Sequence, residues 1–245
     1  MRKSTSLRAA LAFGLVLGLA SQAHAQSAGD VVVNAGWFHL SPQDASRPLT
    51  ANFLGQSVTD PNSGATIKDS NTFGFTINYF ITNNISVEGV LGVPPKIKLY
   101  GQGDLSPLGE LGSAREWSPS LIAKYWFGKP TNKFRPFLGV GVSYIRFSDV
   151  QLTSGMANGA FLPSALLRGP TSVSLSNSFA PVFNAGMSYQ ISQHWSVGAS
   201  VSYLLFSTDA KLTTQSPIAA VGQTHSQTRL RVNPIVTFLS VGYKF

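Results

Sequence analysis

The chain has 245 residues, 43% hydrophobic and only 11% charged, less than half the roughly 25% of charged residues found in soluble domains. Disorder is excluded, because it needs low hydrophobicity and high charge, and beyond the N-terminal region no segment offers the roughly 18 consecutive apolar residues of a spanning helix. Cys is absent, which rules out disulfides and thiolate metal sites, and the net charge of +8 comes from Lys and Arg scattered singly, without the basic run expected for a nucleic-acid partner.

The first predicted element is a leader. Arg2, Lys3 and Arg8 form a basic start, Ala9 to Ala20 is apolar, and Ala23-His24-Ala25 places small residues on both sides of a bulky one. This is the secretory signal pattern, with cleavage expected after Ala25. Removing those three of 18 basic residues leaves 15 against 10 acidic ones, or +5. Residues 26–245 are then the mature domain.

Eight runs follow in which apolar residues alternate with small or polar ones, the mark of a strand with two unlike faces. The first places Val31, Val33, Ala35 and Trp37 on its apolar face. The second sets Phe73, Phe75, Ile77, Tyr79 and Ile81 against Thr72, Gly74, Thr76 and Asn78. In the third, Ile85, Val87, Leu91 and Val93 oppose Ser86, Glu88 and Gly92. The fourth has Trp117, Leu121, Ala123, Tyr125 and Phe127 opposite Ser118, Ser120 and Lys124. Leu138, Val140, Val142 and Tyr144 form the fifth, and Phe179, Phe183, Ala185, Met187, Tyr189 and Ile191 the sixth. The seventh sets Trp195, Val197, Ala199, Val201, Tyr203 and Leu205 against His194, Ser196, Gly198, Ser200 and Ser202. The eighth ends the chain with Ile235, Leu239, Val241, Tyr243 and Phe245.

A soluble sandwich would turn its bulky faces inward and expose charge. Here the polar faces are Gly, Ser, Thr and Asn, small enough for the crowded interior of a narrow barrel. The bulky faces then meet lipid, as in outer-membrane barrels. Connections agree: 82–84, 128–133 and 192–193 are short, whereas 41–70, 94–114, 148–176 and 207–227 are long. Short periplasmic turns alternating with long extracellular loops define an up-and-down membrane barrel, and an even strand count leaves both termini periplasmic. Aromatic residues also gather at the run ends, where interfacial girdles belong. The expected fold is all-β: an eight-stranded antiparallel up-and-down transmembrane β-barrel in the bacterial outer membrane.

Four stretches carry a family resemblance: Ile81 to Glu88 (ITNNISVE), Pro119 to Gly128 (PSLIAKYWFG), Lys133 to Gly141 (KFRPFLGVG) and the ending Ser240 to Phe245 (SVGYKF). The chain resembles the OmpW/AlkL-like family of outer-membrane barrels across essentially all of its mature length. The resemblance implies passage of small hydrophobic molecules, taken in through the lipopolysaccharide layer and released sideways into the membrane. It also implies that the terminal aromatics Tyr243 and Phe245 serve the outer-membrane insertion machinery. The stretch Ala160 to Leu167 (AFLPSALL) in the third long connection has no recognisable counterpart.

Strand parity points Phe38, Leu40, Phe147, Leu204 and Phe206 into the outer lumen as an apolar cup, and Glu88, Lys124 and Arg135 into the inner lumen. Three inward charges at similar height are expected to pair, because a buried unpaired charge is costly. Pro94 and Pro95 donate no ladder hydrogen bonds and would leave a lateral seam, or merely end the strand. Plain packing accounts for inward Phe and Leu equally well.

Catalysis and metal binding find little support. His39, His194 and His225 are the mature histidines. His194 and Ser196 have a His-x-Ser spacing similar to that of lipid A deacylase barrels, but parity turns both inward, away from lipid, and no acidic residue is placed to orient the imidazole. No His and carboxylate pair has ligand spacing, so neither metal nor cofactor is expected. Expected partners are outer-membrane lipid, lipopolysaccharide and small hydrophobic ligands. The rival readings are a structural or adhesive barrel acting through its loops and a narrow ion or solute pore.

Overall fold

The computed structural model describes residues 26–43, 45–220 and 222–245; the leader expected over 1–25 lies outside the described residues. In chain order the strands are β1 (Val31–Ser41), β2 (Ala45–Ser46), β3 (Leu49–Phe53), β4 (Gln56–Asp60), β5 (Ser63–Ile67), β6 (Ser70–Phe80), β7 (Ile85–Gly92), β8 (Lys96–Gly103) and β9 (Glu110–Trp117). The chain continues with β10 (Ser120–Trp126), β11 (Phe134–Leu152), helix α1 (Ser154–Ala157), β12 (Thr171–Leu175), β13 (Ser178–Gln190), β14 (Trp195–Leu204), β15 (Ser207–Gln215), β16 (Gln223–Arg231) and β17 (Ile235–Lys244).

Eight strands close a barrel in the ring order β1, β6, β7, β10, β11, β13, β14 and β17, with β17 pairing back onto β1. Each pairing is antiparallel, from Val31↔Tyr79 between β1 and β6 to Trp195↔Tyr243 between β14 and β17. The alternation in sequence sets the two faces. On β6, Phe73 is 69% exposed and Phe75 56%, while Thr76, Asn78 and Phe80 on the opposite face are buried. The same holds around the ring, where Leu91, Leu121, Val140, Phe183, Val201 and Leu239 point outward and exposed. At the short-turn end Tyr243 packs edge-on against Trp195 and Phe245, at 5.1 and 4.9 Å between ring centroids.

Two features depart from the simple reading. The fourth run is not one strand: β9 ends at Trp117 and β10 starts at Ser120, with Ser118 and Pro119 between them. A prolyl nitrogen has no hydrogen to donate, so the ladder breaks there. The long connections also carry strands of their own. The β8–β9 hairpin pairs with residues 146–152 of β11, and β5 adds to β8. A second sheet runs β12-β15-β16-β3-β4, with β2 also on β16. β11, at 19 residues, spans roughly 60 Å at 3.3 Å per residue, far beyond the roughly 25 Å apolar band of a membrane barrel. Its upper half supports a crown above the barrel. Leu105, Leu111, Met156, Phe161, Leu162, Leu167, Leu212 and Leu230 are buried within the crown, and one apolar cluster joins them to Ile145 and Leu204 of the barrel.

Candidate functional site: a two-chambered lumen

The floor of the lumen is packed with large side chains around one small cavity lined by Asn34, Asn78, Glu88, Lys124, Trp126 and Phe137. Arg135 is fully buried at the short-turn end, where its guanidinium donates to the backbone carbonyls of Gln26 and Asn83. It lies over the rings of Trp126 and Phe80, 5.6 and 5.8 Å from their centroids. The indole Nε1 of Trp126 donates to Ser86 Oγ at 2.7 Å, and Trp126 packs on Phe137 at 4.5 Å. Above this plug, Lys124 Nζ meets Glu88 Oε1 at 2.6 Å. Thr76 Oγ1 donates to the other Glu88 oxygen at 3.1 Å and accepts from Asn34 Nδ2 at 2.9 Å.

The expected three-charge cluster is therefore a pair and a separate plug. Register explains the split: Lys124 lies opposite Gly139 on β11. Arg135 lies four residues nearer the turn, roughly 13 Å at strand rise, with Trp126 and Phe137 in the intervening layer. Sequence parity missed Trp126, Phe80 and Phe137 as lumen groups, although each sits next to an outward residue already assigned.

Above the charge pair are two chambers. The lower one lies in the barrel and is lined by apolar Phe38, Ile122, Val182, Leu204 and Phe238 together with polar Thr72, Thr76, Glu88, Asn184, Ser200 and Ser202. Phe38 stacks on Phe238 of β17 at 4.0 Å and 12°, a partner that the sequence reading left unassigned. The upper chamber lies in the crown, with about 1180 Å³ of empty space including its mouth. Its walls include Leu49, Ile97, Leu99, Leu111, Leu152, Leu212 and Leu230. Leu40, Glu116 and Pro234 line both chambers and form the neck between them.

The five cup residues are accordingly shared out. Phe38 and Leu204 face the lower chamber, Phe147 and Phe206 the upper, and Leu40 stands at the neck. Glu116 had no place in the sequence reading. It is only 7% exposed and has no hydrogen-bond or ion-pair partner among the described residues. It belongs to β9, beyond the eight spanning strands, and burial pushes its carboxyl up to about 7.

One section of the barrel wall is unpaired. The β7–β10 ladder ends at Val90↔Ser120, and above it the next backbone bond across the two sides is Glu116 N–H to Pro95 O at 3.1 Å. Pro94, Pro95 and Pro119 occupy this interval, and none offers an N–H. The lower chamber reaches into it, because its lining includes the outward-facing Leu91, Val93 and Trp117 together with the inward residues.

The histidines are dispersed. His39 Nδ1 lies 2.9 Å from Asn71 Oδ1 near the barrel rim, and His225 is exposed in the crown, 3.4 Å from Thr213 Oγ1. His194 does not face inward as parity suggested. It is exposed in the turn before β14 and stacks on Tyr243, whereas Ser196 is buried in the lumen. Strand alternation fails at His194 because it precedes the strand.

A barrel of this fold has known counterparts. The OmpW family model matches residues 27–245. The chain belongs to the OmpW family. Outer membrane protein W of Vibrio cholerae serotype O1 is 28% identical over 223 residues, covering 90% of this chain and 91% of that protein. Outer membrane protein AlkL of Ectopseudomonas oleovorans is 26% identical, covering 82% and 81%. Among solved structures, the outer membrane protein OprG of Pseudomonas aeruginosa superposes with a TM-score of 0.75 at 26% identity, covering 91% of this chain and 98% of that one. This OmpW-family chain is an outer-membrane β-barrel, and the relatives named are outer-membrane proteins.

Proposed function

We propose that the barrel is a passive uptake route for small hydrophobic molecules, with the crown outside the cell and both termini in the periplasm. An apolar compound enters the upper chamber and passes the neck at Leu40, Pro234 and Glu116. In the lower chamber it meets the Glu88–Lys124 pair and the Trp126–Arg135 plug, which block descent. The way out is sideways, through the unpaired wall beside Pro94 and Pro95, into the membrane.

The observation that carries this reading is the lower chamber's mixed lining, inward residues on one side and outward-facing Leu91, Val93 and Trp117 on the other. An end-to-end ion pore fits poorly with a plug of stacked aromatics and a buried guanidinium. An adhesive barrel has no need of an apolar chamber in its crown above a second chamber in its lumen.

The test is uptake of radiolabelled octane by cells with intact lipopolysaccharide, with and without the protein. Gly92 lines the lower chamber beside the gap, and a Cβ there would meet only Phe73 O at 3.8 Å. Gly92→Trp therefore brings a large ring to the exit from a position whose Cβ has room. Octane uptake is expected with the wild type and to fall at least tenfold in the variant. Undiminished uptake by folded Gly92→Trp refutes the lateral route, and no uptake by the wild type refutes transport of such compounds.

A further inference from the structure

Glu116 is the one group at the neck whose chemistry the passage of hydrocarbons does not use. Its backbone closes the wall by donating to Pro95 O, a contact that any residue except proline would make. Its side chain stands between two largely apolar chambers, buried and without a partner among the described residues. Burying a carboxyl without a compensating hydrogen bond is costly, and Leu or Met would line the neck without that cost.

Nearby cations do not neutralise it. Arg115, next in sequence, is turned to the opposite face and pairs with Asp149 at 3.2 Å. Lys98 is held by Glu110 at 2.9 Å. The Glu88 carboxylate in the lower chamber is already satisfied by Lys124 and Thr76. What Glu116 lacks is a hydrogen-bond donor, and the neck is where a molecule with its tail in either chamber would present one.

Resting on the uptake reading above, we propose that Glu116 is the receptor for the polar head of the ligand. The conduit then selects apolar molecules that carry one hydrogen-bond-donating head group, the class of alcohols, phenols and amines, over bare hydrocarbons. The tail lies against Leu99, Leu111, Phe206 and Leu230 above the neck, or against Phe38 and Phe238 below it. The carboxyl accepts from the head, which restores the hydrogen bond that the empty neck lacks.

The experiment compares radiolabelled 1-octanol and octane, two probes of equal chain length, by equilibrium binding to the full barrel in phosphatidylcholine vesicles. Retention by protein-free vesicles is subtracted. The wild type is expected to hold octanol about tenfold more tightly than octane, as one added hydrogen bond to a buried carboxyl requires. Glu116→Leu is expected to bring that ratio near one while octane binding persists. Glu116→Gln, whose amide still accepts and fits the same space, is expected to keep most of the preference. A wild type without preference, or a Glu116→Leu barrel that retains it, overturns the assignment of Glu116 and leaves the uptake reading standing. A wild type that retains neither probe overturns both.

Discussion

Breaking the Glu88–Lys124 pair gives the sharpest test of how the lumen is held closed. The two groups meet at 2.6 Å with Glu88 6% and Lys124 5% exposed, so neither finds water when its partner is removed. In Glu88→Leu the ammonium keeps only the Phe137 ring, 4.2 Å from Nζ. Removing one member of a buried pair costs about 3–5 kcal/mol, and each single variant is expected to lose that much. In the double variant Glu88→Leu/Lys124→Met no charge is stranded. The remaining deficit is the Thr76 hydroxyl, which loses its acceptor at Glu88, worth about 1 kcal/mol. The double variant should therefore be more stable than either single one. Urea unfolding of the barrel in lipid vesicles, followed by tryptophan fluorescence, measures all four proteins on one scale. A double variant at least as unstable as the worse single variant would refute the argument, because the two charges would then be contributing independently.

Two further outcomes follow from the plug and the neck. Trp126→Ala removes the ring that packs on Phe80 and Phe137 and bonds Ser86, so single-channel recordings in planar bilayers should show a larger ion conductance; conductance equal to the wild type would mean that Arg135 and Phe80 close the lumen alone. Glu116 gives a pH dependence of known sign. Burial lifts its carboxyl from 4.5 to about 7, so its folded-state advantage is complete below 4.5 and is lost as pH rises through 7. The other charged residues lining the two chambers are Arg47, Lys68 and Lys98 above and Glu88 below. Glu116→Gln should gain stability over the wild type at pH 8 and gain little at pH 4, and an equal gap at both would show that the carboxyl does not titrate in this range.

The barrel was legible in the sequence because its strands have one face in lipid and one in a narrow lumen, and that contrast is written residue by residue. Phe73, Phe75, Ile77 and Tyr79 against Thr72, Gly74, Thr76 and Asn78 are enough to orient β6. The crown was not legible for the same reason. Its strands have no lipid face, so β15 reads as the polar stretch Ser207 to Gln215, although Ala210 and Leu212 are buried. Parity found the inward charges but not their heights, and height is what separates Arg135 from Lys124. That quantity depends on register, which comes from pairing between strands and not from alternation along one.

Glu116 differs from two unsatisfied amides of the barrel interior. Asn184 Oδ1 and Gln190 Oε1 are buried without partners, but each belongs to an amide whose nitrogen is bonded, to Ser202 Oγ and to the carbonyl of Ser192. They lie among serines and glycines on the barrel's polar inner face, where a buried water finds the several partners it needs. Glu116 has neither a satisfied second atom nor such surroundings, since Leu40 and Pro234 share the neck with it. Below the lower chamber Glu88 and Lys124 satisfy one another, whereas Glu116 stands without a partner among the described residues where the two chambers adjoin. A conduit built solely for hydrocarbon would gain by losing that group, and its presence argues for cargo with a polar end.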